Sequence, residues 1–145
     1  MKKFTFPMDR VLAWRRAQLR LAEVALEQMH RQKQALEDGR SALHAERARM
    51  QDAILTADHV TGGELEALDS FRQFAAGEVK RMDQAIAKAA DETSARAQIV
   101  MTKRRDLELL EKLKARRRES WSNELAVETQ QLAEEAYLAR WKHGR

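Results

Sequence analysis

Apolar residues recur along the chain at spacings of three and four, and this rhythm predicts long helices that each bury a narrow stripe. In the first part every seventh residue of one series is apolar: Ala22, Met29, Leu36, Leu43, Met50 and Ala57. The complementary series opens with Leu19 and Leu26, turns polar at Lys33, Arg40 and Arg47, and is apolar again at Ile54. A second stretch carries Leu65, Leu68, Val79, Met82, Ile86, Ala89, Val100, Leu107 and Leu110, then Trp121, Leu125 and Leu132. Spacing of this kind is the seam of a coiled coil.

The boundaries follow from the breakers. Pro7 is the single proline, and a first-turn proline loses nothing because its missing N–H would be unpaired there; Asp9 follows where the helix dipole favours an anion. The only concentrated breaker is Asp58-His-Val-Thr-Gly-Gly63, in which Thr61 with Glu64 reads as a capping box. Helix one is therefore predicted over about 7–57, a turn over 58–63 and helix two over about 64–141. At 1.5 Å per residue these helices would be roughly 75 and 115 Å long, too long to be stable without a partner. The prediction is an all-α chain, one domain over residues 1–145, with the two helices in an antiparallel coiled-coil hairpin. Gly39 and Gly77 each cost about 1 kcal/mol relative to Ala in a helix, and the first piece of helix two could bend at Gly77.

Composition agrees with a narrow seam. Charged residues make up 34% of the chain, and four Phe, three Trp and one Tyr are too few for a broad core. The absence of Cys excludes disulfides, thiolate metal sites and a cysteine nucleophile, and it favours the cytoplasm. No apolar run approaches the roughly 20 residues of a membrane span, and the first residues lack the apolar stretch of a signal peptide. Residues 1–20 hold six Lys/Arg against Asp9, and residues 103–118 hold eight against Asp106, Glu108 and Glu111. Residues 51–71 hold five acids and no Lys or Arg. A hairpin brings both basic segments to one end, near the pairing of residue 8 with residue 112, and leaves the acids at the turn. Beyond about Lys112 helix two has no helix-one partner, so Trp121, Leu125, Leu132, Tyr137, Leu138 and Trp141 are expected to form an overhang with an apolar stripe suited to another protein.

Catalysis has no support in the residues, and the chain is read as not an enzyme, with no cofactor or metal. Gly-rich phosphate loops, His-Glu-x-x-His and Gly-x-Ser-x-Gly are all missing. Glu27-Gln-Met-His30 matches the Glu-x-x-His of di-iron helical bundles, but such a site needs a second copy and two further helices, and a surface ion pair is the better reading. Lys103-Arg-Arg105 and Arg116-Arg-Arg118 raise nucleic acid or an anionic lipid surface as partners. A basic end seated in an acidic protein cavity explains these charges and the apolar overhang together.

Phe4-x-Phe6 followed by Arg10-Val-Leu12 and Arg16, and Leu109-Leu-Glu-Lys-Leu-Lys-x-Arg-Arg117 before an Ala/Glu-rich end, resemble the FliJ family, the coiled-coil component of the bacterial flagellar type III export apparatus. The resemblance implies a stalk, similar to the central subunit of rotary ATPases, that couples a partner's ATP hydrolysis to protein export. Its implied partners are the hexameric export ATPase, the cytoplasmic domain of the membrane export gate and export chaperones, and its implied place is the cytoplasm at the inner face of the cell membrane. The basic end, with Arg10, Arg15, Arg16, Lys112, Lys114, Arg116, Arg117 and Arg118, is expected to meet the ATPase. Phe74, with Phe71 one turn earlier, matches the family's aromatic just after the turn and is expected at the gate, whereas Arg47 and Gln51 stand where the family has aromatic or aliphatic residues. Trp121 matches a usual aromatic position. The stalk of a virulence type III secretion system and a nucleic-acid-binding coiled coil remain as alternatives.

Overall fold

A computed structural model describes residues 3–144; Met1, Lys2 and Arg145 lie outside the described residues, Lys2 being one of the six cations counted in the N-terminal segment. The chain is all-helical among these residues. Helix α1 spans Asp9–Thr56 and helix α2 spans Gly62–His143, and the two pack against each other as an antiparallel hairpin.

Helix α1 begins two residues later than Pro7. The Asp9 N–H donates to the Phe6 carbonyl at 3.1 Å, closing a turn over Pro7 and Met8, and the first helical bond runs from the Leu12 N–H to the Met8 carbonyl at 2.9 Å. Proline supplies the fixed φ of a turn that leads into the helix instead of the first helical residue. At the other end, the Thr56 hydroxyl donates to the Asp52 carbonyl at 2.9 Å and the helix stops.

The predicted capping box is present. The Glu64 N–H donates to Thr61 Oγ1 at 3.2 Å, and the Thr61 N–H donates to Glu64 Oε2 at 3.4 Å. Its consequence is that Gly62 and Gly63 form the first turn of α2 and the connection shortens to residues 57–61. No residue in the described chain has a left-handed φ, so the turn makes no use of glycine's conformational freedom. Gly77 does not interrupt α2, and a Cβ there would meet open space. Gly39 faces the Met82 side chain, 3.7 Å from where its Cβ would stand.

Two compact units share these helices. One joins the chain up to Arg20 with the chain from Met101 onwards, and the other is Leu21–Val100. In the terminal unit Phe6, Leu12, Leu19 and Leu107 are buried. In the central unit Met29, Ala75, Ala89 and Val100 are buried, Ala75 completely. Leu26, Leu36, Leu43, Ile54, Leu68, Val79, Met82 and Ile86 are half-buried, as a two-helix seam with solvent on both flanks requires.

Four predicted apolar seam positions differ. Ala57, Leu65 and Leu132 are exposed and Met50 is largely so, because the first turn of α2 precedes its tight contact with α1 and because nothing pairs with α2 at Leu132. Ala75, absent from the predicted series, is the most fully buried of the central unit's buried residues. Polar seam positions keep their stems inside and their charges outside. Arg40 pairs with Asp83 across the helices at 2.6 Å, and Arg96 donates to the Ala25 carbonyl at 3.4 Å.

Candidate interaction surfaces

The terminal unit gathers the cations of the two basic segments, and it separates them into two sets. Arg15 Nη1 binds Asp106 Oδ2 at 3.2 Å, Arg16 Nη2 binds Glu111 Oε1 at 3.3 Å, and Lys114 Nζ binds Asp9 Oδ1 at 2.8 Å. Each pair joins one helix to the other. Arg15 is also held beside the Trp14 ring, its guanidinium carbon 5.5 Å from the centroid, with Nε buried and without a hydrogen-bond partner. Three of the eight cations predicted for an ATPase surface therefore hold the helix pair together. Arg10, Lys112, Arg116, Arg117 and Arg118 are exposed and make no ion pair among the described residues.

The overhang is shorter than predicted. Residues 3–6 run ahead of α1 and lie against α2, bringing the Phe4 ring to 5.8 Å from Trp121, centroid to centroid, while Phe6 is buried. An open cleft of about 530 Å³ beside this contact is lined by Lys3, Phe4, Thr5, Arg117, Ser120, Trp121 and Glu124. Trp121 is half-buried beside this segment, and Leu125 is half-buried as well. The uncovered stretch is residues 126–144, where every residue is exposed and Leu132, Tyr137, Leu138 and Trp141 present large apolar side chains. Nothing in the spacing of Phe4 before Pro7 says that a non-helical segment will pack on α2.

In the central unit the predicted aromatic pair divides. Phe71 is half-buried in the seam, and Phe74 is 58% exposed, with ring centroids 6.5 Å apart. Around the turn none of residues 44–74 is buried. An open groove of about 330 Å³ runs between the helices there, lined by Met50, Ala53, Ile54 and Ala57 on one side and Glu64, Ala67 and Leu68 on the other. Leu55 and Val60 are exposed nearby. Alanines at three of these positions are too short to fill the space that the turn leaves between the helices. Of the five acids in residues 51–71, a stretch without Lys or Arg, Glu64 lines this groove. The heptad series pointed to Met50 and Ile54 as packing residues and gave no sign of a groove.

Glu27 is taken up by Arg31 at 2.7 Å on the surface of α1, and His30 is exposed. No helix is long and apolar enough to cross a membrane among the described residues.

By fold the chain is a two-helix hairpin protein with an exposed cationic cluster in one unit and a largely apolar groove in the other. No family model, curated protein or solved structure matches it.

Proposed function

We propose that this chain is a non-enzymatic stalk and coupling component of bacterial flagellar protein export, of the FliJ type, acting in the cytoplasm at the inner face of the membrane. The terminal unit engages the hexameric export ATPase. The surface near the turn engages the cytoplasmic domain of the export gate, and the protein also handles export chaperones. The observation that carries this reading is the exposed helical stretch 126–144 beside the uncommitted cations Arg10, Lys112, Arg116, Arg117 and Arg118. An apolar helix end flanked by unpaired positive charge suits an acidic protein cavity, where charge steers the encounter and apolar contacts hold it. The exposed Phe74 ring supports a second contact at the gate.

The ATPase rate of the cognate export ATPase, measured with and without this chain, tests the proposal. Stimulation together with co-elution of a complex is the expected result, and neither would withdraw the export reading. Arg116→Glu, Arg117→Glu and Arg118→Glu combined are expected to slow association by about tenfold or more at low salt while the chain stays folded. Unchanged stimulation by that variant would remove these residues from the steering role. Charge reversal at Arg15, Arg16 or Lys114 instead weakens the helix pair itself. A virulence-type stalk would stimulate the injectisome ATPase in preference to the flagellar one, and a nucleic-acid binder would show affinity that falls steeply with salt.

A further inference from the structure

The seam face of α2 runs on beyond the residues that α1 and the segment before it cover. Leu107 is buried on this face, and Lys114, Trp121 and Leu125 are half-buried. Leu132, Ala136 and Ala139 follow at steps of seven, four and three, which keeps them on the same face, and all three are exposed. Thr129 also lies there, and its hydroxyl donates to the Leu125 carbonyl at 2.8 Å, so it needs no other partner. From Leu125 to Ala139 this face holds no charge. The other apolar face of the stretch differs, because Val127, Glu134 and Trp141 stand seven apart and set a carboxylate in its middle, where burial would be costly.

Charge lies in a row along one edge of the seam face, where Glu128, Glu135 and Lys142 are also seven apart. All three are exposed and make no ion pair or side-chain hydrogen bond among the described residues. The other edge is Ala126, Ala133 and Arg140. We infer that residues 126–143 pair with the same stretch of a second copy of this chain, antiparallel about a twofold axis. In an antiparallel helix pair each edge row faces its own counterpart. The register that sets Leu132 against Ala136, and Thr129 against Ala139, brings Lys142 of each copy to Glu128 of the other. The charge row is thus complementary to itself, with Glu135 facing its counterpart near the axis. Ala126 and Ala133 let the backbones approach on the other edge. A parallel pair would instead set both covering segments, with Phe4 against Trp121, at the same level in the contact. The interface uses one surface twice and closes at two copies. It is about five turns long, roughly 27 Å, which makes the pair weak and reversible. The inference does not depend on the export reading, and its test uses this chain alone.

Sedimentation of the full chain from about 5 to about 200 µM, where weak contacts populate, reads the association directly. At low salt the mass is expected to rise from the single-chain 16.8 kDa towards twice that value and no further. Leu132→Glu puts a charge in the middle of the paired face and is expected to leave only single chains. Leu132 is exposed, so helical circular dichroism should not change. Glu128→Lys and Lys142→Glu each set like charges across both edge contacts, and each alone is expected to associate about tenfold more weakly. Mixed in equal amounts, the two regain opposite charges at both contacts, and the mixture is expected to pair at least as well as the wild type. Glu135→Gln removes the like-charge contact at the axis and is expected to strengthen the pair. A wild-type mass that stays at the single-chain value, or that passes two chains, overturns the inference. A Leu132→Glu chain that pairs like the wild type, a mixture no better than its components, or a weaker pair with Glu135→Gln also overturns it.

Discussion

The terminal unit and the surroundings of the turn are made from the same two helices and the same three–four spacing, yet they differ in how they are closed. In the terminal unit Phe6, Leu12, Leu19 and Leu107 are buried, and three cross-helix ion pairs bracket them. Around the turn no residue between 44 and 74 is buried, and alanines leave an open groove. The difference teaches that a heptad pattern sets which face turns inward but not how well that face is sealed. Sealing depends on side-chain size and on what lies across the seam, and a covering segment outside the helices, residues 3–6 here, can supply it.

The sharpest way to break the contrast is to remove the best-sealed side chain. Leu12 is 1% exposed, and Leu12→Ala is expected to cost about 2–5 kcal/mol, read as a lower urea midpoint by helical circular dichroism. Leu55, 76% exposed beside the turn, is expected to cost under about 0.5 kcal/mol on the same change, and an equal loss at both sites would refute the contrast.

Phe4→Ala comes next, with about 1–2 kcal/mol expected from lost burial and the lost ring contact. In a background with Trp14→Phe and Trp141→Phe, acrylamide should quench Trp121 more strongly in this variant. If quenching is unchanged, the strap of residues 3–6 does not cover Trp121 in solution.

Near the turn, where little apolar surface is buried, local hydrogen bonding should matter proportionately more. Thr61→Ala removes half of the capping box and is expected to cost about 1 kcal/mol, with Thr61→Ser restoring most of it. Amide exchange at Glu64, whose N–H is the donor, would report the loss locally. Smallest is the Arg40–Asp83 pair in the central seam. Both partners are about half exposed, and a double-mutant cycle should give a coupling of about 0.2–1 kcal/mol that shrinks with salt.

Much of this molecule was legible in residue order alone. The two helices, the break between them and the Thr61–Glu64 box follow from periodicity and capping chemistry, which are local properties. The pairing of the two basic segments followed as well, because a hairpin with a known turn fixes which residues come near each other. Residue order did not separate Arg15, Arg16 and Lys114 from Arg116, Arg117 and Arg118. Each is a cation on a solvated helix, and only the placement of Asp106, Glu111 and Asp9 across the seam decides which of them are paired. Nor did it separate Phe71 from Phe74, or disclose that Ala75 is buried, since three residues on a helix turn through most of a circle and the register between helices decides which one faces inward. The same holds for the tip groove, an empty space between side chains too short to meet. Periodicity along one helix determines an apolar face; what that face touches, and where it touches nothing, depends on the partner helix and is settled only by the tertiary structure.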